Sequence, residues 1–254
     1  MRAIVRGVSK SYEKALASFF GKGPTDLEEA KEQHLAYVLK LRELGLIVRE
    51  LDSHPDYPDC CFVEDHAIVA GDSVLITNAG HDSRLGERQA IVEALEGDLK
   101  LELMNPGGRM DGGDVFQFGD KFLVGHSSRT NRQGIQNLKD FVEFRGFDLH
   151  VIEVPKKSLH LISVCTSPMP GTLIAPEGWF KSTDFPEGIE IILVPSDEAY
   201  GANVISFGND VMVSKGYEKT SQLLIEKGLN LHYMDMSQFK AGDGSLTCLS
   251  VIYE

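Results

Sequence analysis

Ala67-Ile-Val-Ala-Gly-Asp-Ser-Val-Leu-Ile76 reads as an apolar strand, a Gly-Asp turn and a second apolar strand, the local pattern of a β-hairpin. It returns as Val115-Phe-Gln-Phe-Gly-Asp-Lys-Phe-Leu-Val124 and as Val204-Ile-Ser-Phe-Gly-Asn-Asp-Val-Met-Val213. After each hairpin comes a helical pattern and one more strand. Behind the first, Ser83 is placed to cap a helix carrying Ile91, Ala94 and Leu95 on one face. Gly97 ends that helix, and Leu99 to Leu103 alternates as a half-buried strand does. Thr130 to Val142, Gly146, and Leu149 to Val154 repeat the arrangement, as do Thr220 to Lys227, Gly228, and Leu229 to Met236. Thr25 to Leu51 adds a helix with Tyr37, Val38, Leu41 and Leu44 on one face, a stop at Gly45, and a strand. The unit is hairpin, helix, strand, and the first and last parts of the chain are expected to complete one copy between them. A fourth copy, His160 to Val194, is degenerate: Pro168, Pro170, Gly171, Pro176 and Gly178 predict loops around its strands.

Each unit leaves an apolar face that only a neighbouring unit can cover, so the units are expected to close into a ring, one α/β domain over residues 1–254. No linker or low-complexity tract divides the chain. One phase of the repeat is polar: Glu64 (followed by Asp65), Asp111, His160, Asn203 and Cys248 are spaced by 47, 49, 43 and 45 residues, and each leads into an apolar strand. A repeat folded around a common axis brings corresponding positions together.

The formal charge of −13 argues against a nucleic-acid partner, which needs clustered Lys and Arg. An acidic surface serves solubility, and it also favours cationic small substrates. The four cysteines, Cys60, Cys61, Cys165 and Cys248, include a vicinal pair and no spaced Cys-x-x-Cys, so neither a disulfide framework nor a structural zinc site is indicated. A reducing cytoplasm fits best. Arg2, Arg6, Lys10, Glu13 and Lys14 interrupt the apolar core of any signal peptide, and no run approaches the ~18 residues of a membrane span, so no membrane partner is expected. An apolar propeller edge could face a second copy, as in a homodimer, or simply a loop.

Cys248 and His160 are candidates for a nucleophile and its proton relay. Asp59, Glu64, Asp65, Asp111 and Asp114 surround them in the repeat, whereas acyl chemistry calls for hydrogen-bond donors around an oxyanion. Carboxylates stabilise a positive centre, and the cationic carbon electrophile that takes planar, bidentate recognition by carboxylates is a guanidinium. Thiolate attack at its central carbon, departure of an amine protonated by His160, and attack of water with His160 as base would leave a urea. The same carboxylates are expected to hold the Cys248 thiol at or above its reference pKa of about 8.5 until a guanidinium binds. Taken singly, the signals are ordinary: a buried small cysteine, a core histidine, a turn at Asp111-Gly-Gly-Asp114. Asn203 suggests only a local hydrogen bond. The remaining histidines show no metal-ligand spacing.

Pro58-Asp-Cys-Cys-Phe-Val-Glu-Asp65, Asp111-Gly-Gly-Asp-Val115, Ser128-Arg-Thr-Asn131, Leu159-His-Leu161, Ala202-Asn203 and Asp243-Gly-Ser-Leu-Thr-Cys248 together resemble dimethylarginine dimethylaminohydrolase, of the guanidino-modifying pentein superfamily, in order over almost the whole chain. The resemblance implies a five-bladed α/β propeller that hydrolyses asymmetric dimethylarginine or monomethylarginine to citrulline and an amine, with no cofactor. It implies Cys248 as nucleophile, His160 as acid/base and Asp111 as acidic partner. Glu64 and Asp65 would be the guanidinium- and site-shaping carboxylates, and Asp59 a ligand contact. Arg84 and Arg129 would hold the substrate α-carboxylate, with Leu16, on a lid segment, and Gly242 contacting ligand through their backbones. Zinc is expected to inhibit by capturing Cys248 and His160. Where family members carry arginines and a lysine, Asn78, Leu85 and Ile162 stand here, changes expected near the carboxylate-binding side. A compact deiminase acting on arginine or another guanidine is the alternative enzyme, and a non-catalytic pentein the alternative from another class.

Overall fold

The computed structural model describes residues 1–23 and 25–254. Among them the strands form five three-stranded sheets. Three are built from consecutive segments on one plan. Strand β3 (Ala67–Ala70) pairs antiparallel with β4 (Ser73–Ile76), helix α2 (Arg88–Leu95) crosses over, and β5 (Lys100–Leu103) returns parallel to β4. Strands β6 (Val115–Phe118) and β7 (Lys121–His126), helix α3 (Arg132–Glu143) and strand β8 (Asp148–Glu153) repeat it. So do β12 (Ile205–Phe207), β13 (Asp210–Ser214), α4 (Glu218–Glu226) and β14 (Asn230–Met234).

The expected closure is present. Strand β1 (Arg2–Arg6) pairs antiparallel with β15 (Val251–Tyr253), and after helix α1 (Leu27–Glu43) the strand β2 (Ile47–Leu51) joins β1 in parallel. Both ends of the chain therefore complete one blade of a five-bladed α/β propeller. The fourth blade keeps its strands, β9 (Thr166–Met169), β10 (Thr172–Pro176) and β11 (Glu190–Val194), but its crossover is loop with a short 3-10 turn at Ser182–Asp184.

The hairpin glycines explain the shared register. Gly71, Gly119 and Gly208 sit at φ of +60°, +61° and +64° in the first position of two-residue loops, the pattern of type II′ turns. Pro170-Gly171 reverses the order, with φ +74° at the second position, as a type II turn requires. Helix α1 starts on Asp26, whose side chain accepts from the Glu29 amide, and α3 on Asn131, which accepts from Gly134. Ser83 does not cap α2. It lies in a separate 3-10 turn, Asp82–Arg84, and the helix begins at Arg88 without a side-chain cap. The intervening turn presents Arg84 inward.

The middle strand of each sheet is the most buried, and side chains of adjacent blades interleave: Ile4, Val63, Val74, Ile91 and Val251 share one cluster. Burying one such side chain is worth roughly 1.5–3 kcal/mol. The first strands of all five sheets line an axial cavity of about 1160 Å³, whose inner end is formed by Glu64, Gly112, Ile162 and Thr247. The candidate catalytic side chains lie on the segments that supply this inner end.

Candidate active site

Short turns deliver the polar phase of the repeat to the hub. Val63–His66 precedes β3, Gly112–Asp114 precedes β6, and Thr247–Leu249 precedes β15; the first packs against the other two. The double glycine is what lets them meet. A Cβ on Gly113 would fall 2.6 Å from His160 Nδ1 and 2.8 Å from Asp65 Oδ1, and one on Gly112 would fall 2.0 Å from the Glu64 carbonyl oxygen.

His160 is 3% exposed and lies between two carboxylates. Its Nε2 is 2.9 Å from Asp111 Oδ2 and its Nδ1 is 3.9 Å from Asp65 Oδ1. Burial alone would lower its pKa, but the charge of Asp65, the hydrogen bond to Asp111 and the charges of Asp114 and Asp111 outweigh it and push the ring up to about 9. That direction favours the protonated ring at neutral pH, the form a general acid requires. Asp111 is held well below the ordinary carboxylate range: burial opposes ionisation, and the His160 bond and the charges of His160, Arg84 and Arg129 prevail. Its Oδ1 accepts from the Gly80 amide at 2.6 Å, and its Oδ2 also accepts from Arg129 Nη1 at 3.1 Å. Asp114 fixes the chain on the other side of the histidine, accepting from the Leu161 amide and from the hydroxyls of Ser127 and Thr130.

Cys248 is 5% exposed, with its Sγ 3.4 Å from Ser245 Oγ. Burial first, then the charges of Glu64 and Asp65, push its thiol up to about 12. Asp65 is common to both groups: its Oδ1 is 3.9 Å from His160 Nδ1, its charge acts on the Cys248 thiol, and its turn packs against the turn that carries Cys248. Glu64 is raised well above the ordinary range by burial and by Asp65, and its Oε2 is buried with no hydrogen-bond partner among the described residues. A buried acid group held neutral, with one oxygen unsatisfied, is one that a bound cation would ionise and pair. Alkylation of ligand-free protein is therefore expected to stay slow through neutrality and to accelerate only in strongly alkaline buffer. A Cys248 rate already at its plateau near pH 7 would overturn this. The same assay reads zinc: an ion taken by the thiolate and the imidazole would protect Cys248, and equal rates with and without zinc would remove that proposal.

Arg84 is engaged mainly from inside the protein. It is 3% exposed, and its guanidinium is held by Asp65, by Glu87 Oε2 at 2.8 Å, and by the carbonyl oxygens of Phe62 and Asp59 at 3.0 and 3.3 Å. Among the described residues its Nη1 has one acceptor, Asp65, for two N–H groups, so Arg84 fixes Asp65 and keeps one donor over. Glu87, three residues on, is the partner that motif reading missed, and it also meets His66 Nε2 at 2.9 Å. Arg129 is different: among the described residues Nη1 is the one nitrogen of its guanidinium with an acceptor, Asp111.

Asn203 is not locally bonded. Its Nδ2 donates to the Ile162 carbonyl at 2.6 Å and to Thr247 Oγ1 at 3.0 Å, while its Oδ1 accepts from the Thr247 amide at 3.2 Å. It ties the histidine segment to the nucleophile segment. Asp59 accepts from the Leu16 amide at 3.1 Å, and burial, against the charge of Arg84, raises its carboxyl to about 6. Gly242 is buried beside Tyr12, whose hydroxyl a Cβ there would meet at 2.8 Å. Asn78 lies away from the cluster, its amide donating to the carbonyls of Met104, Asn105 and Gly108. Leu85 is exposed, and Ile162 lines the axial cavity.

A five-bladed α/β propeller whose hub gathers a cysteine, an imidazolium and several carboxylates has the architecture of the guanidino-modifying penteins. A sequence profile described as N,N dimethylarginine dimethylhydrolase, eukaryotic, matches residues 18–170. The N(G),N(G)-dimethylarginine dimethylaminohydrolase of Streptomyces coelicolor is 34% identical over 253 residues, covering 98% of this chain and 96% of that protein. The Pseudomonas aeruginosa enzyme, solved as a cysteine-to-serine mutant complexed with citrulline, superposes with a TM-score of 0.92 at 28% identity, covering 99% and 98% of the two chains. A histidine-to-glycine dimethylarginine dimethylaminohydrolase in adduct with S-methyl-L-thiocitrulline gives a TM-score of 0.93 at 28% identity over 99% of each chain. The chain belongs to the dimethylarginine dimethylaminohydrolase family.

Proposed function

We propose that this protein hydrolyses Nω-methylated arginine, asymmetric dimethylarginine or monomethylarginine, to citrulline and dimethylamine or methylamine. The observation that carries the reading is the unpartnered Glu64 Oε2 on a turn that packs against the turn of Cys248, beside Asp65 and Asp111, the two carboxylates that flank His160. A cation is the missing partner, and a guanidinium is the cation whose carbon a thiolate can attack. The citrulline and thiocitrulline bound by the relatives support the same chemistry.

Docking of the guanidinium against Glu64 and Asp65 reverses the field at Cys248. A unit charge about 4 Å away is worth roughly 4 kcal/mol at an effective dielectric near 20, on the order of 3 pKa units. The thiol loses its proton to solvent, the C–S bond forms, and the methylated nitrogen leaves as the C–N bond breaks, taking the proton from His160. Neutral His160 then removes a proton from water as the C–O bond forms, and the adduct collapses to the urea as the C–S bond breaks, its remaining hydroxyl proton passing to the departing sulfur and restoring the thiol. Asp111 keeps the ring oriented through both steps. Arg129 and Arg84, with Asp59 and the backbone of Leu16 and Gly242, take the amino-acid end of the substrate, Arg84 while paired with Asp65 and Glu87.

Incubation with asymmetric dimethylarginine, monomethylarginine, arginine and agmatine, followed by assay of ureido product, tests the assignment. The two methylated arginines are expected to turn over fastest. Turnover of agmatine alone would remove Arg129 from its role, and turnover of arginine alone would make the protein a compact deiminase.

A further inference from the structure

Asp243 is the one non-glycine among the described residues with a positive φ, +59°, between Gly242 and Gly244 and five positions before Cys248. Glycine takes this conformation freely and Asp is one of the few side chains that also visits it, so what sets Asp243 apart is what its carboxylate holds. It accepts from four N–H contacts on one short segment: the Ser18 amide, the Phe19 amide at 2.9 Å to one oxygen and 3.2 Å to the other, and the Gly21 amide at 2.5 Å. That segment is a strap. It carries Leu16, whose amide is bound to Asp59, and it continues to Gly23, whose amide donates to the Ala241 carbonyl at 3.2 Å. Gly21 passes so close that a Cβ would lie 2.3 Å from the Ala241 carbonyl oxygen. Between these points Phe20 lies edge-on to Tyr200 and stacked near Trp179 at 6.5 Å. On the other side, Tyr200 donates to the Gly244 carbonyl at 2.8 Å, so the clasp and the nucleophile loop are held as one piece.

We propose that Asp243 is a positioning residue that sets substrate affinity: its carboxylate clasps the strap 16–21 by three backbone amides and thereby places Leu16 and Asp59 over the site that ends in Cys248. This deepens the hydrolase assignment above and rests on it for the kinetic readout only.

Two variants decide it. Asp243→Gly relaxes the backbone and deletes the clasp; Asp243→Asn tolerates the left-handed conformation and keeps one acceptor oxygen. In Asp243→Gly, KM for methylarginine is expected to rise at least tenfold with a smaller fall in kcat. Hydrogen-exchange protection at Ser18, Phe19 and Gly21 should be lost, and Cys248 should alkylate faster. Asp243→Asn should lie between it and the wild type on all three scales. Unchanged protection and unchanged alkylation would overturn the clasp, even if activity fell. If Asp243→Gly does not fold, Asp243→Asn gives the decision from the same measurements. Should the wild type turn over no guanidine at all, exchange and alkylation still judge the clasp, and only the assigned reaction fails.

Discussion

Cys248→Ser is expected to lower citrulline formation by roughly four orders of magnitude or more, about 5.4 kcal/mol of lost transition-state stabilisation, while the protein stays folded. The size follows from the chemistry. A serine hydroxyl can occupy the place of a thiol 5% exposed beside Ser245, so packing changes little. What it cannot do is ionise. Even the thiol is pushed up to about 12 here and depends on a bound guanidinium to lose its proton, and an alcohol starts several units higher. Binding should survive, because Glu64, Asp65 and Arg129 are untouched. Circular dichroism, thermal unfolding and isothermal titration with methylarginine check the second half of the expectation. A serine variant that folds, binds and still releases citrulline at more than a thousandth of the wild-type rate would exclude Cys248 as nucleophile.

Asp111→Asn is expected to lower kcat by roughly 100- to 10,000-fold, the range of general acid–base catalysis. Both oxygens of the carboxylate are used: Oδ1 accepts from Gly80, and Oδ2 accepts from His160 and Arg129. An asparagine has one acceptor oxygen, so its NH2 must confront either the Gly80 amide or the pair of donors on the other side. His160 loses both a hydrogen bond and a charge that hold its pKa near 9, and it should no longer be fully protonated at pH 7.5. The same pair predicts a pH effect on stability. The folded pKa of His160, about 9, lies above the reference value of 6.5, so its pairing stabilises the native state fully below pH 6.5 and is lost as pH rises through 9. Denaturation midpoints measured from pH 6 to 9 should fall in the wild type and change less in Asp111→Asn. Parallel slopes would show that the ring is not held by this carboxylate.

The elements that sequence disclosed were those written in local chemistry. The Gly-Asp and Gly-Asn loops named the hairpins because a two-residue II′ turn needs glycine first, and the periodic polar positions named the hub because equal spacing in a ring means equal radius. His160 and Asp111, 49 residues apart, could be paired only through that period. Arg84 could not be read the same way. A buried guanidinium takes its meaning from its acceptors, and of these Glu87 lies one turn ahead while Asp65 lies 19 residues behind on another turn. Asn203 failed for the same reason, with partners 41 and 44 residues distant. Ser83 looked like a cap because Ser, Asp and Asn begin helices and tight turns alike, and here a turn intervened before α2. Asp243 had a visible sign, a charged residue framed by glycines, but the amides it serves lie more than 220 residues upstream.

The pairing of β1 with β15 also bears on where the thiol sits. Cys248 lies three residues before Val251, which faces Ile4 across that ladder, so the turn that carries it is anchored by a strand from the opposite part of the sequence. A variant lacking β15 keeps the imidazole, the carboxylates and the arginines, yet that blade is unfinished and its thiol unanchored. Removing Val251–Tyr253 is therefore expected to abolish turnover outright rather than to lower it in part.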